Sequence, residues 1–411
     1  MRLLNFSRMC PLIAFTFVIT ASVQQNLSAA DWPHWRGPNY NGISEEKDWK
    51  IDFGGRRGPN VLWKKSIGSG YSSVVVSEGK LLILGLKGSE ETLSCLDAES
   101  GDEIWSYSYK TTFKPKFYDG GTSGTATIDG GKAYLANQTG SVFCFDMSSG
   151  DVIWKNNIKS KLNLKIGIWG ITGSPFAYGD TVIVNAGKCG VALSKSDGKI
   201  LWSTGNNENG YATPVPFKWK GQDRIAVFGA KALYSVDPKS GSEDWSYDWV
   251  TMYDVNAADP VFLDESHILL SSGYGKGATL ISLNDQGAKE VWKNKNLRTQ
   301  FNAAILHNGY FYGVDGNTSD KGTLNCIEAK TGKLIWKEKN IGSGGLILSN
   351  DHLIVVTERG QLLISKASPD GFKPVTRKQI YGGKTWTVPT LANGILYCRN
   401  SRGDLVALNM K

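Results

Sequence analysis

Nine side chains along this sequence have the types that hold small molecules: aromatic rings, amides and charged groups of both signs. They share a position, since each comes shortly before a predicted innermost strand of one of several similar segments. The candidates are Tyr71, Trp169, Tyr211, Asp254, Asn256, Gln300, Asn302, Lys384 and Trp386. Such a mixture is typical of a ligand site, and a wet, empty channel has the same composition. The sequence leaves these two alternatives open.

Catalytic and metal-binding groups are sparse by comparison. His34 lies near the start of the chain, and the other histidines, His267, His307 and His352, fall in the same predicted turn of three successive segments. Equivalent positions of separate repeats lie far apart, which argues against a shared metal ion or a Ser-His-Asp triad. The sequence therefore predicts no catalytic residue and no metal ligand.

The elements that would position the nine candidates form an internal repeat with a period of about 45 residues. Six segments end alike, each with a small residue ten positions before a Trp and a Gly four or five positions before it. The tryptophans are Trp105, Trp154, Trp202, Trp245, Trp292 and Trp336, and Trp63 precedes the first copy. A fixed period of this size indicates a solenoid, a propeller or an array, whose units bury their apolar faces only by stacking.

The small position of the repeat has a packing interpretation. It is filled by Cys95, Cys144, Ala192, Ser235, Ser282 and Cys326. Three of the five cysteines after residue 30 therefore occupy equivalent places in different units, and the other two are Cys189 and Cys398. We expect packing cysteines here rather than a disulfide framework.

Each repeat carries the signals of four short antiparallel strands. In residues 302–336, for example, apolar segments flank the turn His307-Asn308-Gly309, as in a β-hairpin. The last unit lacks an outer strand, and residues 61–67 (VLWKKSI) are predicted to supply it. Such pairing closes the ring and leaves no open edge. We therefore predict an all-β fold, an eight-bladed β-propeller over residues 61–411 that is closed by strand 61–67.

The first sixty residues precede this ring. A basic start, an apolar run and small residues before Asp31 predict a signal peptide over residues 1–30. We expect a soluble exported protein, periplasmic or extracellular, and no lipid anchor, because Asp31 stands where an anchored protein has Cys. Residues 31–60 are predicted to form an N-terminal rim segment in which Trp32 and Trp35 cover an apolar patch. The formal net charge of +8 supports solubility rather than dedicated nucleic-acid binding.

Two copies of the repeat carry a resemblance to a known family. CLDAESGDEIW (residues 95–105) and CIEAKTGKLIW (residues 326–336) resemble the PQQ-type propeller repeat, approximately A-L-D-A-x-T-G-x-x-x-W. The resemblance covers nearly all of residues 61–411 and implies an eight-bladed propeller. The opening DWPHWRGPNYNGIS (residues 31–44) is similar to the start of exported bacterial PQQ-like propellers.

The resemblance implies two different activities. The same repeat occurs in the non-enzymatic outer-membrane assembly factor BamB and in quinoprotein alcohol dehydrogenases, which bind PQQ (pyrrolo-quinoline quinone) with calcium. Those enzymes cover PQQ with a ring formed by two adjacent cysteines, and this chain has no adjacent cysteine pair. We therefore expect a BamB-like scaffold that binds a protein or a ligand, without a cofactor and without a transmembrane span. Its expected partner is another protein or a component of the cell envelope, and the alternative is a PQQ-dependent dehydrogenase.

Overall fold

The computed structural model describes residues 31–54, 57–114, 118, 120–317 and 321–411. The predicted signal peptide, residues 1–30, lies outside the described residues. Two short helical elements stand among the strands of the described part, the α-helix Ile158–Leu162 and the 3₁₀-helix Met252–Asp254. The remainder of its regular structure is β-strand.

Eight antiparallel sheets of four strands form the blades of a ring, and one of them gains a short fifth strand. The strands of blades 1 to 4 are Val75–Ser77, Lys80–Lys87, Glu90–Asp97 and Glu103–Lys110; Thr127–Asp129, Lys132–Ala136, Ser141–Asp146 and Val152–Asn157; Phe176–Tyr178, Thr181–Val184, Val191–Ser194 and Ile200–Ser203; Val215–Trp219, Gln222–Phe228, Ala232–Val236 and Glu243–Asp248. Those of blades 5 to 8 are Val261–Asp264, His267–Ser272, Gly277–Asn284 and Gly287–Asn294; Ile305–His307, Tyr310–Asp315, Thr323–Glu328 and Leu334–Glu338; Gly345–Ser349, His352–Val356, Gln361–Lys366 and Thr376–Gln379; Thr390–Ala392, Ile395–Arg399, Asp404–Asn409 and Val61–Ser66. The predicted eight-bladed, all-β propeller is confirmed.

Blade 8 joins the two ends of the chain. Val61–Ser66 is its outer strand and pairs antiparallel with Asp404–Asn409, the third strand of the same blade. The backbone groups of Asp404–Asn409 are thereby paired on both sides, because Ile395–Arg399 pairs along the other edge. The sheet of the last blade is completed by residues from the beginning of the fold, so the ring has no free end between blades 8 and 1.

A buried arginine reinforces the same junction. Arg399 is 1% exposed, and its guanidinium donates hydrogen bonds to the carbonyl oxygens of Gly68 (3.1 Å), Ser72 (3.2 Å) and Leu84 (2.7 Å). Burial lowers the pKa of Arg399 to about 10. The side chain thus links blade 8 to the first residues of blade 1 through charge-assisted hydrogen bonds.

Six of the seven repeat tryptophans donate a hydrogen bond to the next blade, and the seventh, Trp245, has a buried Nε1 without a partner. The indole Nε1 of Trp105 donates to the carbonyl oxygen of Met147 (3.1 Å), and Nε1 of Trp154 donates to that of Lys195 (2.9 Å). Trp63, Trp202, Trp292 and Trp336 make the equivalent bond to Ala98, Pro238, Ala329 and Ser368. The ring supplies apolar area between two blades while its N–H satisfies a turn carbonyl of the neighbour.

The repeat glycine is the surface on which this tryptophan lies. A Cβ atom built on Gly198 would stand 2.5 Å from the ring of Trp154, and one on Gly150 would stand 2.5 Å from that of Trp105. Gly198 also has a φ of +69°, which glycine adopts at no steric cost. The Trp of one repeat therefore packs against the Gly of the next repeat. This contact explains why both residues recur with the same period along the sequence.

The fifth copy of the repeat departs from the predicted register. Cys144 stands opposite Trp154, as the ten-residue spacing predicts, but Leu280 rather than Ser282 stands opposite Trp292. The reason is a shorter hairpin, since Asn284 pairs directly with Gly287 across a two-residue turn. The five cysteines of the described chain are free and buried.

Residues 31–54 of the predicted N-terminal rim segment run from blade 1 past the axial channel to blade 7. Trp32 exchanges backbone hydrogen bonds with Val76 of blade 1, each 2.9 Å. Farther along the segment, Ile43–Ser44 forms the fifth strand of blade 7, parallel to Leu348–Ser349. The segment follows this path because the inner ends of the blades leave backbone groups without sheet partners, which it pairs.

We predict that Gly198→Ala destabilises the protein more than Gly179→Ala does. Both glycines have positive φ, +69° and +49°, so both substitutions strain the backbone. A Cβ on Gly179 would meet nothing within 4 Å, whereas one on Gly198 overlaps the Trp154 ring. We expect an additional loss of about 1–3 kcal/mol for Gly198→Ala in chemical denaturation. Equal losses for the two variants would show that the Trp–Gly contact is not needed between blades.

We predict that removing the closing strand costs more stability than removing the N-terminal segment alone. A chain that begins at residue 61 keeps Val61–Ser66, and a chain that begins at residue 68 loses it and exposes the edge of Asp404–Asn409. The second chain should melt roughly 5 °C or more below the first, measured by circular dichroism. Identical melting temperatures would contradict closure by this strand.

Candidate functional site

An axial pocket of about 200 Å³ lies where the eight blades meet. Its walls are residues that precede the innermost strands of the blades, together with Tyr274 from a turn of blade 5 and Trp35 from the N-terminal segment. Because seven of the blades contribute residues that precede their innermost strands, side chains distant in sequence converge at the axis. The pocket is smaller than the ~300–1,000 Å³ usual for drug-sized ligands, so it suits a small molecule or group.

One wall is a continuous row of four rings, which we call the aromatic arc: Tyr118, Tyr71, Trp386 and Phe301. The ring centroids of Tyr71 and Trp386 lie 5.3 Å apart in a stacked arrangement. Tyr118 contacts Tyr71 edge-on at 5.4 Å, and Phe301 lies 5.4 Å from Trp386. These distances are typical of favourable aromatic pairs, so the arc is held by its own contacts.

A second group of rings belongs to the following blades. Trp169 and Tyr211 meet edge-to-face with centroids 5.5 Å apart. Tyr274 makes a similar contact with Tyr253 at 5.6 Å, and both residues have positive φ (50° and 64°). Such a conformation is costly for a bulky residue and is found most often where a structure positions groups for function.

Below the rings, a belt of hydrogen bonds passes from blade to blade. In each step a backbone N–H two residues before the innermost strand donates to the side chain at the same position of the next blade. The donors and acceptors are Ser73 to Thr125 (3.0 Å), Thr125 to Ser174 (3.2 Å), Ser174 to Thr213 (3.0 Å) and Thr213 to Asp259 (2.8 Å). Four of these positions carry a hydroxyl, and blade 5 carries a carboxylate.

That carboxylate and Trp35 form the floor of the pocket. Asp259 Oδ2 accepts a 2.5 Å hydrogen bond from Trp35 Nε1, while Oδ1 accepts from the Thr213 N–H. Arg36 Nε stands 3.9 Å from Oδ2. The Arg36 guanidinium also donates to the carbonyl oxygens of Ala303 (3.0 Å) and Ala304 (2.9 Å), so it spans from blade 5 to blade 6.

The electrostatics of the floor follow from its burial. Burial raises the pKa of Asp259 to about 6, although Arg36 and the hydrogen bonds from Thr213 and Trp35 favour the charged form. Burial also lowers the pKa of Arg36, which Asp259 opposes. The carboxylate is therefore ionised at neutral pH and takes up a proton under mildly acidic conditions.

Six of the nine predicted site residues line this pocket. They are Tyr71, Trp169, Tyr211, Gln300, Asn302 and Trp386. Asn302 uses its Nδ2 to hold the walls together, donating to the carbonyl oxygens of Gly344 (2.9 Å) and Trp386 (3.2 Å). The Oε1 atom of Gln300 is buried without a hydrogen-bond partner.

The other three candidates do not line the pocket. Asn256 is fully buried, and its amide donates to the carbonyl oxygens of Gly229, Ala230 and Trp249 at 3.0–3.1 Å, which gives it a structural role. Asp254 pairs with Lys231 at 2.6 Å on the surface. Lys384 extends over the Trp386 ring, with Nζ 4.5 Å from the ring centroid.

Sequence reasoning missed the floor and half of the aromatic arc. The belt position carries a signal, since Asp259 stands where Ser73, Thr125, Ser174 and Thr213 stand in other repeats. Trp35 carries no such signal because it lies outside the repeats and reaches the axis only through the path of the N-terminal segment.

No cluster of three or more His, Cys, Asp or Glu side chains that could hold a metal ion occurs among the described residues. Within residues 31–411, less the gaps given above, no helix is long and apolar enough to cross a membrane.

We predict that the stability advantage of the wild-type protein over Asp259→Asn grows as the pH falls from 7 to 4. The folded-state pKa of Asp259, about 6, lies above its ordinary value of 3.8, so the folded protein binds this proton more tightly than the unfolded chain does. The cost of the buried charge is therefore present above pH 6 and disappears as the pH falls toward 4. Urea denaturation of both proteins at several pH values measures the difference. A difference that does not change with pH would show that Asp259 titrates normally.

The fold and the repeat match known proteins. Residues 89–338 and 320–411 match the family described as outer membrane protein assembly factor BamB. No protein with a curated function matches the chain in sequence.

Solved structures of three kinds share the fold. BamB from Moraxella catarrhalis has a TM-score of 0.63 at 14% identity, over 85% of this chain and 99% of that one. The quinohemoprotein alcohol dehydrogenase of Comamonas testosteroni has a TM-score of 0.70 at 13% identity, over 92% and 80%. The computationally designed Ika8 protein has 0.59 at 9% identity, over 86% and 100%. These likenesses show the fold alone, but because the family match extends over most of the sequence, the chain belongs to the BamB-like family of PQQ-type propellers.

Proposed function

We propose that this chain is an exported, non-enzymatic binding propeller of the cell envelope and that its axial pocket is the ligand site. Export rests on the predicted signal peptide, and the partner is a protein or another envelope component. The observation that carries the proposal is the pocket itself, where two groups of aromatic rings surround a floor closed by Trp35 and Asp259. A concave apolar site with a few directed polar groups is the usual form of a binding site for a small molecule.

The arrangement of Asp259 supports binding rather than proton transfer. Both oxygens of the carboxylate already accept hydrogen bonds, from Trp35 and from the Thr213 N–H. Those bonds belong to the floor and to the belt between blades, so they persist unless the fold changes. The carboxylate is therefore held in one position by the floor and the belt, as suits a fixed charge in a binding site.

The residues of the pocket do not fit PQQ, the cofactor of the related dehydrogenases. PQQ is a planar tricarboxylate, and the charged side chain on the described pocket wall is another carboxylate, Asp259. Arg36 stands behind it and is engaged by the carbonyl oxygens of Ala303 and Ala304. Bringing three negative charges beside a buried carboxylate is unfavourable because a site of low dielectric strengthens like-charge repulsion. We therefore propose that the chain binds neither PQQ nor a PQQ-associated calcium ion.

We predict that titration of the protein with PQQ in the presence of calcium gives no calcium-dependent heat in calorimetry. A dye-linked alcohol oxidation assay should likewise show no activity above that of the mixture without protein. The control is methanol or ethanol oxidation by a quinoprotein dehydrogenase in the same assay.

Sub-micromolar, calcium-dependent PQQ binding would contradict the proposal and assign the chain to the oxidoreductases. In that case the pocket can be tested directly, because Trp169→Ala and Trp386→Ala remove lining rings. Trp219→Ala is the matched control, since Trp219 ends the first strand of blade 4 and is not part of the pocket wall.

A further inference from the structure

We infer that the axial pocket selects a small organic cation, of the quaternary ammonium class, through its aromatic rings and the Asp259 carboxylate. The inference rests on the proposed binding function and adds the chemical class of the ligand. Three features of the pocket carry it: the number of rings, the sign of the charge on its floor, and a lysine that already occupies one face of a pocket ring.

The pocket wall contains several rings rather than a single one. The aromatic arc and the pair of Trp169 with Tyr211 both line it. The faces of aromatic rings carry negative electrostatic potential, and several rings around one centre are the usual way in which proteins hold a methylated ammonium group. Burial raises the pKa of Tyr118 to about 12 and also raises that of Tyr211, so both phenols stay neutral at physiological pH.

The floor carries a carboxylate at a belt position where four other blades carry a hydroxyl. In the belt of hydrogen bonds, the hydroxyls of Thr125, Ser174 and Thr213 accept the same backbone bond that Asp259 accepts in blade 5. A hydroxyl at position 259 could accept the belt hydrogen bond, but it would not balance the charge of Arg36. The carboxylate in this place gives the pocket wall a charge that attracts cations.

Arg36 reduces this charge without reversing it. Its Nε atom is 3.9 Å from Asp259 Oδ2, beyond hydrogen-bond distance, and its Nη atoms point to carbonyl oxygens of blade 6. Both side chains are buried, each 4% exposed, but Asp259 is part of the pocket wall and Arg36 is not. The carboxylate is therefore the nearer of the two charges to a molecule in the pocket.

Lys384 shows that a ring of the arc holds a cation within this structure. Its ammonium group lies 4.5 Å from the centroid of Trp386, within the range of a cation–π contact. Trp386 Nε1 donates to Glu358 Oε1 at 2.8 Å, which fixes the orientation of the indole. The contact shows that the indole of Trp386 attracts a cation in its present orientation.

The inference is tested by calorimetry with two probes of the same shape on the chain from residue 31. Choline carries the positive charge, and dimethylbutanol is its uncharged isostere, in which carbon replaces nitrogen. We expect choline to bind about tenfold more tightly or better, because only the charged probe gains from the ring faces and from Asp259. We also expect choline affinity to fall several-fold between pH 7 and pH 5, as Asp259 with its pKa of about 6 takes up a proton, and dimethylbutanol to show no such change.

Two variants locate the effect. Asp259→Ser keeps a hydroxyl for the belt and should reduce choline binding by a larger factor than dimethylbutanol binding. Trp386→Leu should weaken choline binding, and Trp219→Leu, outside the pocket, should not. The pH series needs no variant, so it decides the role of Asp259 even if Asp259→Ser does not fold.

The outcomes separate this inference from the proposed function. Equal binding of the two probes overturns the cation class and leaves a binding pocket. Absence of choline binding at millimolar concentration also overturns the cation class. If Trp386→Leu does not change choline binding, the choline site is not the axial pocket and the inference is likewise overturned. Calcium-dependent PQQ binding would instead overturn the proposed function.

Discussion

The contact between a tryptophan of one blade and a glycine of the next determines how this ring is built. The indole lies on a glycine that has no Cβ, and its N–H reaches a carbonyl oxygen of the same turn, as in Trp154 with Gly198 and Lys195. Each blade depends on its neighbour for this contact, so the blades stabilise one another around the ring. The closing strand Val61–Ser66 is required for the same reason, because it brings Trp63 to the Gly101 turn of blade 1.

A ring of this kind necessarily leaves a space at its axis, and the site is a consequence of it. The sheets fan outward, so their inner ends converge without filling the centre, and residues before the innermost strands face the axis. In this chain the space is closed by the N-terminal segment, which lies outside the repeats. In blade 6 the belt position is Ala303, whose side chain cannot accept a hydrogen bond. Arg36 binds the carbonyl oxygen of Ala303 there instead. The floor is thus formed by Trp35 from the N-terminal segment, which lies outside the repeats, and by Asp259, the belt position that carries a carboxylate.

The repeat made the fold predictable, and its exceptions limited the prediction of the site. Identical spacing of tryptophans required equivalent units, and most of the axial candidates, Tyr71 and Trp386 among them, line the pocket because position in the repeat determines position in the ring. Asn256 has the same position in its repeat, yet its amide donates to three backbone carbonyl oxygens. No sequence pattern distinguishes an amide with this structural role from one that binds a ligand. Trp35 could not be placed because its contact with Asp259 spans 224 residues and depends on the finished ring.

The shared fold cannot decide between scaffold and enzyme, since an assembly factor, an alcohol dehydrogenase and a designed protein all adopt it. Evidence on function must come from positions where this chain departs from what its own repeat requires. Ser73, Thr125, Ser174 and Thr213 show that the belt needs only a small polar side chain. A buried carboxylate costs free energy in such a place, and the raised pKa of Asp259 expresses that cost. Trp35 and Arg36 of the N-terminal segment offset part of this cost, and the positively charged ligand that we infer would offset more of it.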